Sequence, residues 1–170
     1  MVDGDGSVIA IVPRAEMRRR VLRHRTVFVA VMDPAGERLL VHRRASWKDV
    51  WPMHWDVAFG GVVGVGETWD LAAARELAEE AGVAEPLIPL GEGTYDDDHV
   101  AEVARIYLVR SVGPFTFADG EVESVEWVDR HELPEWLAGR AVCPDGTALV
   151  LPRLPAARMG SGTPTSGSGR

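Results

Sequence analysis

Gly61 to Val83 reads G-V-V-G-V-G-E-T-W-D-L-A-A-A-R-E-L-A-E-E-A-G-V. It combines a glycine-rich turn, a helix opened by Thr68 as N-cap and a stop at Gly82. Leu71, Ala74, Leu77, Ala78 and Ala81 are expected to form its packing stripe. Glu76, Glu79 and Glu80 stand at i, i+3 and i+4, so they share one face of that helix. Like charges so spaced repel, and a sequence that gathers them calls for a cation between them. Oxygen-only ligands at close range point to a hard divalent ion, Mg²⁺ or Mn²⁺.

Working outward, Thr26 to Met32 (T-V-F-V-A-V-M) is the best strand in the chain. A turn over Asp33 to Glu37 and a second strand, Arg38 to Arg43, make it a hairpin. A short strand from Trp55 to Phe59 delivers the chain to Gly60 and Gly61, where the lack of a Cβ lets backbone approach a ligand or metal. Upstream, Ser7 to Val12 is expected as an edge strand, followed by a basic short helix or turn over Pro13 to Arg25. Downstream, Gly93 to His99 reads as a polar acidic loop and Val100 to Arg110 as a strand with Glu102 directed toward the site. Glu121 to Val128 is a loop entering another strand, and Asp129 to Leu137 is a short final helix. Residues 1–159 form one domain with a short N-terminal extension, and 160–170, lacking any core-forming residue, are expected as a disordered tail.

Arg43, Arg44 and Lys48 are interleaved with Trp47 and Trp51, a mixture suited to phosphates beside a flat or apolar group. With Arg25 they are the candidate substrate contacts. Guanidinium forks among the upstream arginines suit an anionic substrate in the same way.

Composition narrows the classes. At 170 residues the chain holds one substantial core rather than two domains. A net charge of −8 opposes binding to nucleic acid polymers, which depends on clustered Lys and Arg, but leaves a small phosphorylated substrate open. The apolar runs are too short to span a bilayer, and the N-terminus has no basic start leading into an apolar stretch, so a cytoplasmic protein without a membrane partner is expected. Cys143 is the single cysteine, which rules out an internal disulfide and a cysteine-pair zinc site. A homodimer is as compatible with the sequence as a monomer.

The opening stretch resembles the signature of the Nudix hydrolases, G-x5-E-x7-R-E-U-x-E-E-x-G-U with U aliphatic. Gly61, Glu67, Arg75, Glu76, Leu77, Glu79, Glu80, Gly82 and Val83 fill every specified position. The resemblance implies an α/β fold with a mixed sheet sandwiched between helices. It also implies a Mg²⁺- or Mn²⁺-dependent hydrolase that cleaves a diphosphate linkage in a nucleoside diphosphate derivative or nucleoside triphosphate. By similarity, Glu76, Glu79 and Glu80 with the Gly61 carbonyl would hold metal, and Arg75 would steady the carboxylates. Glu67 would be a further ligand or structural partner. Glu121 would add a late acidic group, with Glu123 as the alternative. The segments Leu22 to Val29 and Leu39 to Asp56 also look like the isopentenyl-diphosphate isomerase branch of the superfamily. That branch places a cysteine near the position of Gly60, where this chain has none, while Glu102 falls where it carries a partner glutamate. Double-bond migration and non-catalytic ligand binding are the alternative activities.

Overall fold

The computed structural model describes residues 1–156; the expected tail lies outside them. The apolar run that begins at Thr26 becomes the middle of the sheet. Strand β1 spans His24–Met32, and Val27 to Met32 are all buried. Burial on both faces follows from helices on both sides. Val27, Val29 and Val31 pack with Ala73, Leu77 and Ala81 of the long helix. Phe28, Ala30 and Met32 face the opposite layer with Trp136, Leu149 and Val150.

In chain order the elements are α1 (Arg14–Arg19), β1, β2 (Arg38–Arg44), β3 (Trp55–Asp56), β4 (Phe59–Val62) and α2 (Trp69–Ala81). They continue with β5 (Ile88–Asp96), β6 (Ala101–Arg110), β7 (Val122–Asp129), α3 (Leu133–Ala138) and α4 (Pro144–Val150). The sheet is mixed: β6 runs parallel to β1 along its whole length, from His24 opposite Glu102 to Met32 opposite Arg110, and β5 is antiparallel to β6. This is the mixed sheet between helical layers expected of the α/β fold.

On its other edge β1 changes partner. Val31 and Met32 pair with Leu40 and Leu39 of β2, whereas Thr26 to Val29 pair with Val62 to Phe59 of β4. Strand β2 diverges and pairs instead with β7 and β3. The fork between β4 and β2 opens a wedge in the sheet, and the candidate site lies there.

Several expectations are corrected. Ser7 to Val12 is not a strand; only Val8 makes a bridge, to Val2. The expected strand over Trp55 to Phe59 is two strands, because Asp56 turns its side chain onto the Val57 amide at 2.8 Å and breaks the ladder. The supposed loop from Gly93 belongs to β5 as far as Asp96. The final helix begins only at Leu133, and α4 follows it unforeseen. In α2 the packed stripe is Ala72, Ala73, Leu77 and Ala81. Leu71 is 62% exposed, and Ala74 and Ala78 are also exposed. The face carrying Glu80, not the one carrying Leu71, turns to the sheet. Among the described residues no helix is long and apolar enough to cross a membrane.

Candidate active site

Helix α2 fixes the acidic side chains. Thr68 Oγ1 accepts from the Leu71 amide at 3.3 Å, capping its start. Gly82 ends it in the left-handed conformation at φ 69°. Arg75 then acts as a clamp. Its Nε and Nη2 donate to the two oxygens of Glu67 at 2.9 and 3.0 Å. Its Nη1 reaches Glu76 Oε1 at 2.7 Å and Glu79 Oε2 at 3.1 Å. One guanidinium thus offsets three carboxylates, and they hold it charged in return.

The three glutamates of the box differ in surroundings. Glu80 is buried and enters the fork, where its Oε2 accepts from the Gly60 amide at 2.9 Å. Glu76 is half-buried beneath Gly61, so close that a Cβ on that glycine would lie 2.5 Å from Glu76 Oε1. Glu79 is 55% exposed and turned to Arg75. Burial pushes Glu80 up to about 8, even with Lys48 and the Gly60 amide opposing it. Glu76 is also raised by burial, against the pull of Arg75.

From the far side of the fork, Glu121 at the entry to β7 meets the ammonium of Lys48. The same ammonium lies 3.5 Å from Glu80 Oε1. Carboxylate oxygens of Glu80, Asp119 and Glu121 all lie within 4.8 Å of one another. This oxygen-only set suits a hard divalent cation, and Lys48 already places positive charge in it. Asp119 was missed in the sequence; its one local signal is the turn in which its Oδ1 accepts from the Glu121 amide at 2.9 Å. The alternative, Glu123, is exposed and outside this group.

The candidate substrate contacts separate into two groups. Lys48 and Trp47 share a recess with Arg18, Arg44, Asp49 and Glu121. Arg44 and Trp51 continue into a second recess, of about 50 Å³, with Arg18, Thr26, Asp56, Glu102 and Asp145. Arg43 and Arg25 are engaged in structural contacts. Arg43 Nε donates to the Met53 carbonyl at 3.2 Å. Arg25 donates to the Gly6 carbonyl at 2.7 Å and lies over the Trp69 ring. A larger cavity of about 590 Å³ is lined by aliphatic residues such as Val2, Ile11 and Val65, and it meets the carboxylates only at Glu67, whose oxygens face Arg75.

The second recess is acidic. Asp56 pairs with Arg44 at 3.4 Å. Burial raises Asp56, Glu102 to about 7 and Asp145 to about 8. Cys143 is buried beside Asp56 and its thiol is pushed far up, so it stays protonated.

Comparison with known proteins places this geometry. A family model described as the NUDIX domain matches residues 22–144. An uncharacterised Nudix hydrolase of Streptomyces coelicolor, SCO1686, is 38% identical over 168 residues, covering 95% of this chain and 90% of the relative. The uncharacterised Nudix hydrolase YfcD of Escherichia coli K12 is 34% identical over 134 residues, covering 78% and 74%. The crystal structure of DR0079 from Deinococcus radiodurans superposes with a TM-score of 0.77 at 27% identity, covering 91% of this chain and 97% of that one. The NUDIX domain of Shewanella oneidensis NrtR, solved with ADP ribose, shares the fold at a TM-score of 0.59 and 19% identity, covering 82% and 95%.

Proposed function

The chain belongs to the Nudix hydrolase family, and we propose that it hydrolyses the diphosphate linkage of a nucleoside diphosphate derivative or nucleoside triphosphate with Mg²⁺ or Mn²⁺ bound at the fork. The observation that carries this reading is the convergence of Glu80, Asp119 and Glu121 within 4.8 Å of one another, with Glu76 held under Gly61. Glu80, Glu121 and Asp119 would be the principal ligands, Glu76 and the Gly61 carbonyl would complete the set, and Glu79 would border it from the solvent side. A divalent cation bound there supplies charge neutralisation at the phosphate oxygens and acidifies a water for in-line attack.

The chain's own groups do the rest. Arg75 keeps Glu67, Glu76 and Glu79 from repelling one another out of position. Glu76, held under Gly61 beside this group, is placed to orient the attacking water. Lys48 and Arg44 line the recesses beside this platform and face the negative charge that develops on the phosphates. Isomerisation would lack the cysteine that the isomerase branch places near Gly60, since the single cysteine, Cys143, is buried beside Asp56.

The test is a Mg²⁺- and Mn²⁺-supplemented panel of nucleoside triphosphates, dinucleoside and sugar-linked diphosphates and isopentenyl diphosphate, with products identified by mass. Cleavage at phosphorus that disappears in Glu80→Gln supports hydrolysis. Double-bond migration, or saturable binding with no product, would replace it.

A further inference from the structure

The largest cavity is aliphatic, and its shape follows from the N-terminal arm. Ser7 to Val12 has the composition of a strand, yet the Ile9 and Ala10 amides bond back to the Met1 carbonyl at 3.1 and 3.4 Å. Among the described residues β4 pairs with β1 alone. The arm therefore stands off from the chain that follows β4 instead of extending the sheet. Residues of both segments line the cavity of about 590 Å³, within the range of about 300–1,000 Å³ typical of small-molecule sites. Val8 and Ile11 on the arm and Val65 on the loop after β4 face it, although they are 59%, 70% and 76% exposed. Three large apolar side chains left to water around one space mark a place that apolar surface would cover.

The polar groups of its wall are already engaged. Arg25 donates to the Gly6 carbonyl, His24 Nδ1 bonds the Leu22 carbonyl at 3.0 Å, and Glu67 is held by Arg75. Burial lowers His24 to about 4, so its ring is neutral. A sugar seated there would leave water without gaining partners, at a cost for each hydroxyl. A hydrocarbon gives up nothing polar and gains by burial. Arg14 differs from the other charged groups of the wall, since it pairs with no carboxylate among the described residues.

Arg14 also ties the cavity to the candidate site. It lines the recess of Lys48 and Glu121 as well, and Val62 of the cavity wall follows directly on Gly61. The same recess shares Arg18, Asp49 and Val50 with a cleft of about 460 Å³ that contains Trp51, His54 and His99. The carboxylate platform thus adjoins both an aromatic space and an aliphatic one, with an arginine at each join to meet phosphate charge. A flat base suits the first space and hydrocarbon suits the second. We propose that the 590 Å³ cavity is the subsite for an aliphatic chain, so that the substrate is a diphosphate carrying a nucleoside on one phosphate and an aliphatic chain on the other, with Ile11 and Val65 determining the preference for the chain. The assignment rests on the diphosphate hydrolase reading and narrows its substrate, making nucleoside triphosphates and sugar-linked diphosphates the poorer ligands.

The test uses the β-methyl, β-butyl and β-octyl esters of α,β-methylene-ADP, which share one charge and one non-hydrolysable bridge and differ only in the chain. Binding in Mg²⁺ is measured by calorimetry for the wild type, Ile11→Asp, Val65→Asp and Ile11→Leu. The substituted side chains are largely exposed, and thermal melting verifies folding. The expected result is that wild-type affinity rises along the series, by about 30-fold or more from methyl to octyl. Ile11→Asp and Val65→Asp then weaken the octyl ester by about tenfold while leaving the methyl ester unchanged, and Ile11→Leu keeps the gain. The assignment is overturned if the wild type binds no ester, if it binds methyl and octyl alike, or if the aspartate variants keep the full gain or weaken both esters equally. A wild-type dimer in sedimentation that Ile11→Asp dissociates, with no gain from the chain, would give the aliphatic surface to a second copy and also overturn it. Because the readout is binding, the two readings fail separately. Methyl-ester binding without a chain gain sinks the subsite and leaves hydrolysis standing, whereas a chain gain in a protein that hydrolyses no diphosphate keeps the subsite and sinks hydrolysis.

Discussion

The ammonium of Lys48 stands 3.5 Å from Glu80 Oε1 while also contacting Glu121, joining two carboxylates that lie 41 positions apart in the chain. A tethered monovalent cation thus lies within the group of acidic oxygens best placed to hold a divalent one.

A metal entering this group would therefore have to displace Lys48. Lys48→Met is expected to bind Mn²⁺ more tightly by about threefold to tenfold, because a positive charge a few ångströms from the site is gone. Turnover is expected to fall by about ten- to a hundredfold with the loss of a cation facing the phosphates. Calorimetric titration with Mn²⁺ checks the first part, and weaker binding would instead make Lys48 the brace that holds the carboxylates ready.

Arg75→Lys keeps the charge but loses the fork. A single ammonium cannot reach both oxygens of Glu67 together with Glu76 and Glu79, so the carboxylates spread. Activity or metal affinity is expected to drop by about 10- to 100-fold, with melting changed little because the pairs are partly exposed. A loss of activity matched by an equal loss of folded protein would contradict a positioning role.

Gly60 and Gly61 separate fold from function. A Cβ at Gly60 would fall 1.9 Å from the Val27 carbonyl oxygen, which is backbone and cannot yield without disrupting the pairing of β1 with β4. At Gly61 the obstacle is the end of the Glu76 side chain, which can turn away. Gly60→Ala should cost stability, on the order of 3 kcal/mol or more. Gly61→Ala should leave melting near wild type and reduce turnover. Comparable melting temperatures for the two variants would refute the distinction.

Asp145 sets a pH dependence of stability. Burial, with Asp56 and Glu102 close by, pushes it from 3.8 to about 8, so the folded state keeps a proton that the unfolded state has released. Its contribution is complete below about pH 4 and is lost as pH rises toward 8. Asp145→Asn keeps the oxygen that accepts from the Gly146 amide at 2.6 Å and removes the titration. Relative to wild type it should gain stability across that window and exceed it above pH 8 by about 1–3 kcal/mol. Denaturant melts at pH 5 and pH 9 would show parallel losses for both proteins if this assignment were wrong.

Legibility in the sequence follows how local each signal is. Helix α2 could be read because its cap, its stop and its glutamates all lie within one stretch. Its packing face was misjudged because alanines surround the helix and Leu71 is apolar yet exposed. Strand β5 was hidden by Pro89, Gly91, Gly93 and Asp96, residues that usually mark turns but here pair with β6. Glu121 was located only through the resemblance, whereas Asp119 signals no more than a turn, nothing singles Arg18 out among the upstream arginines, and Asp145 carries no local mark. They reach the site because β1 exchanges β2 for β4 and opens the fork, a tertiary event that no spacing rule records.

The central claim, that the Glu80-centred carboxylates direct water to phosphorus, is tested most directly by turnover in ¹⁸O-labelled water with mass analysis of the products. The account predicts one labelled oxygen in a phosphate product, formed only with Mg²⁺ or Mn²⁺ and abolished by Glu80→Gln in folded protein. Product formed equally in chelator, or equally by Glu80→Gln, would contradict it.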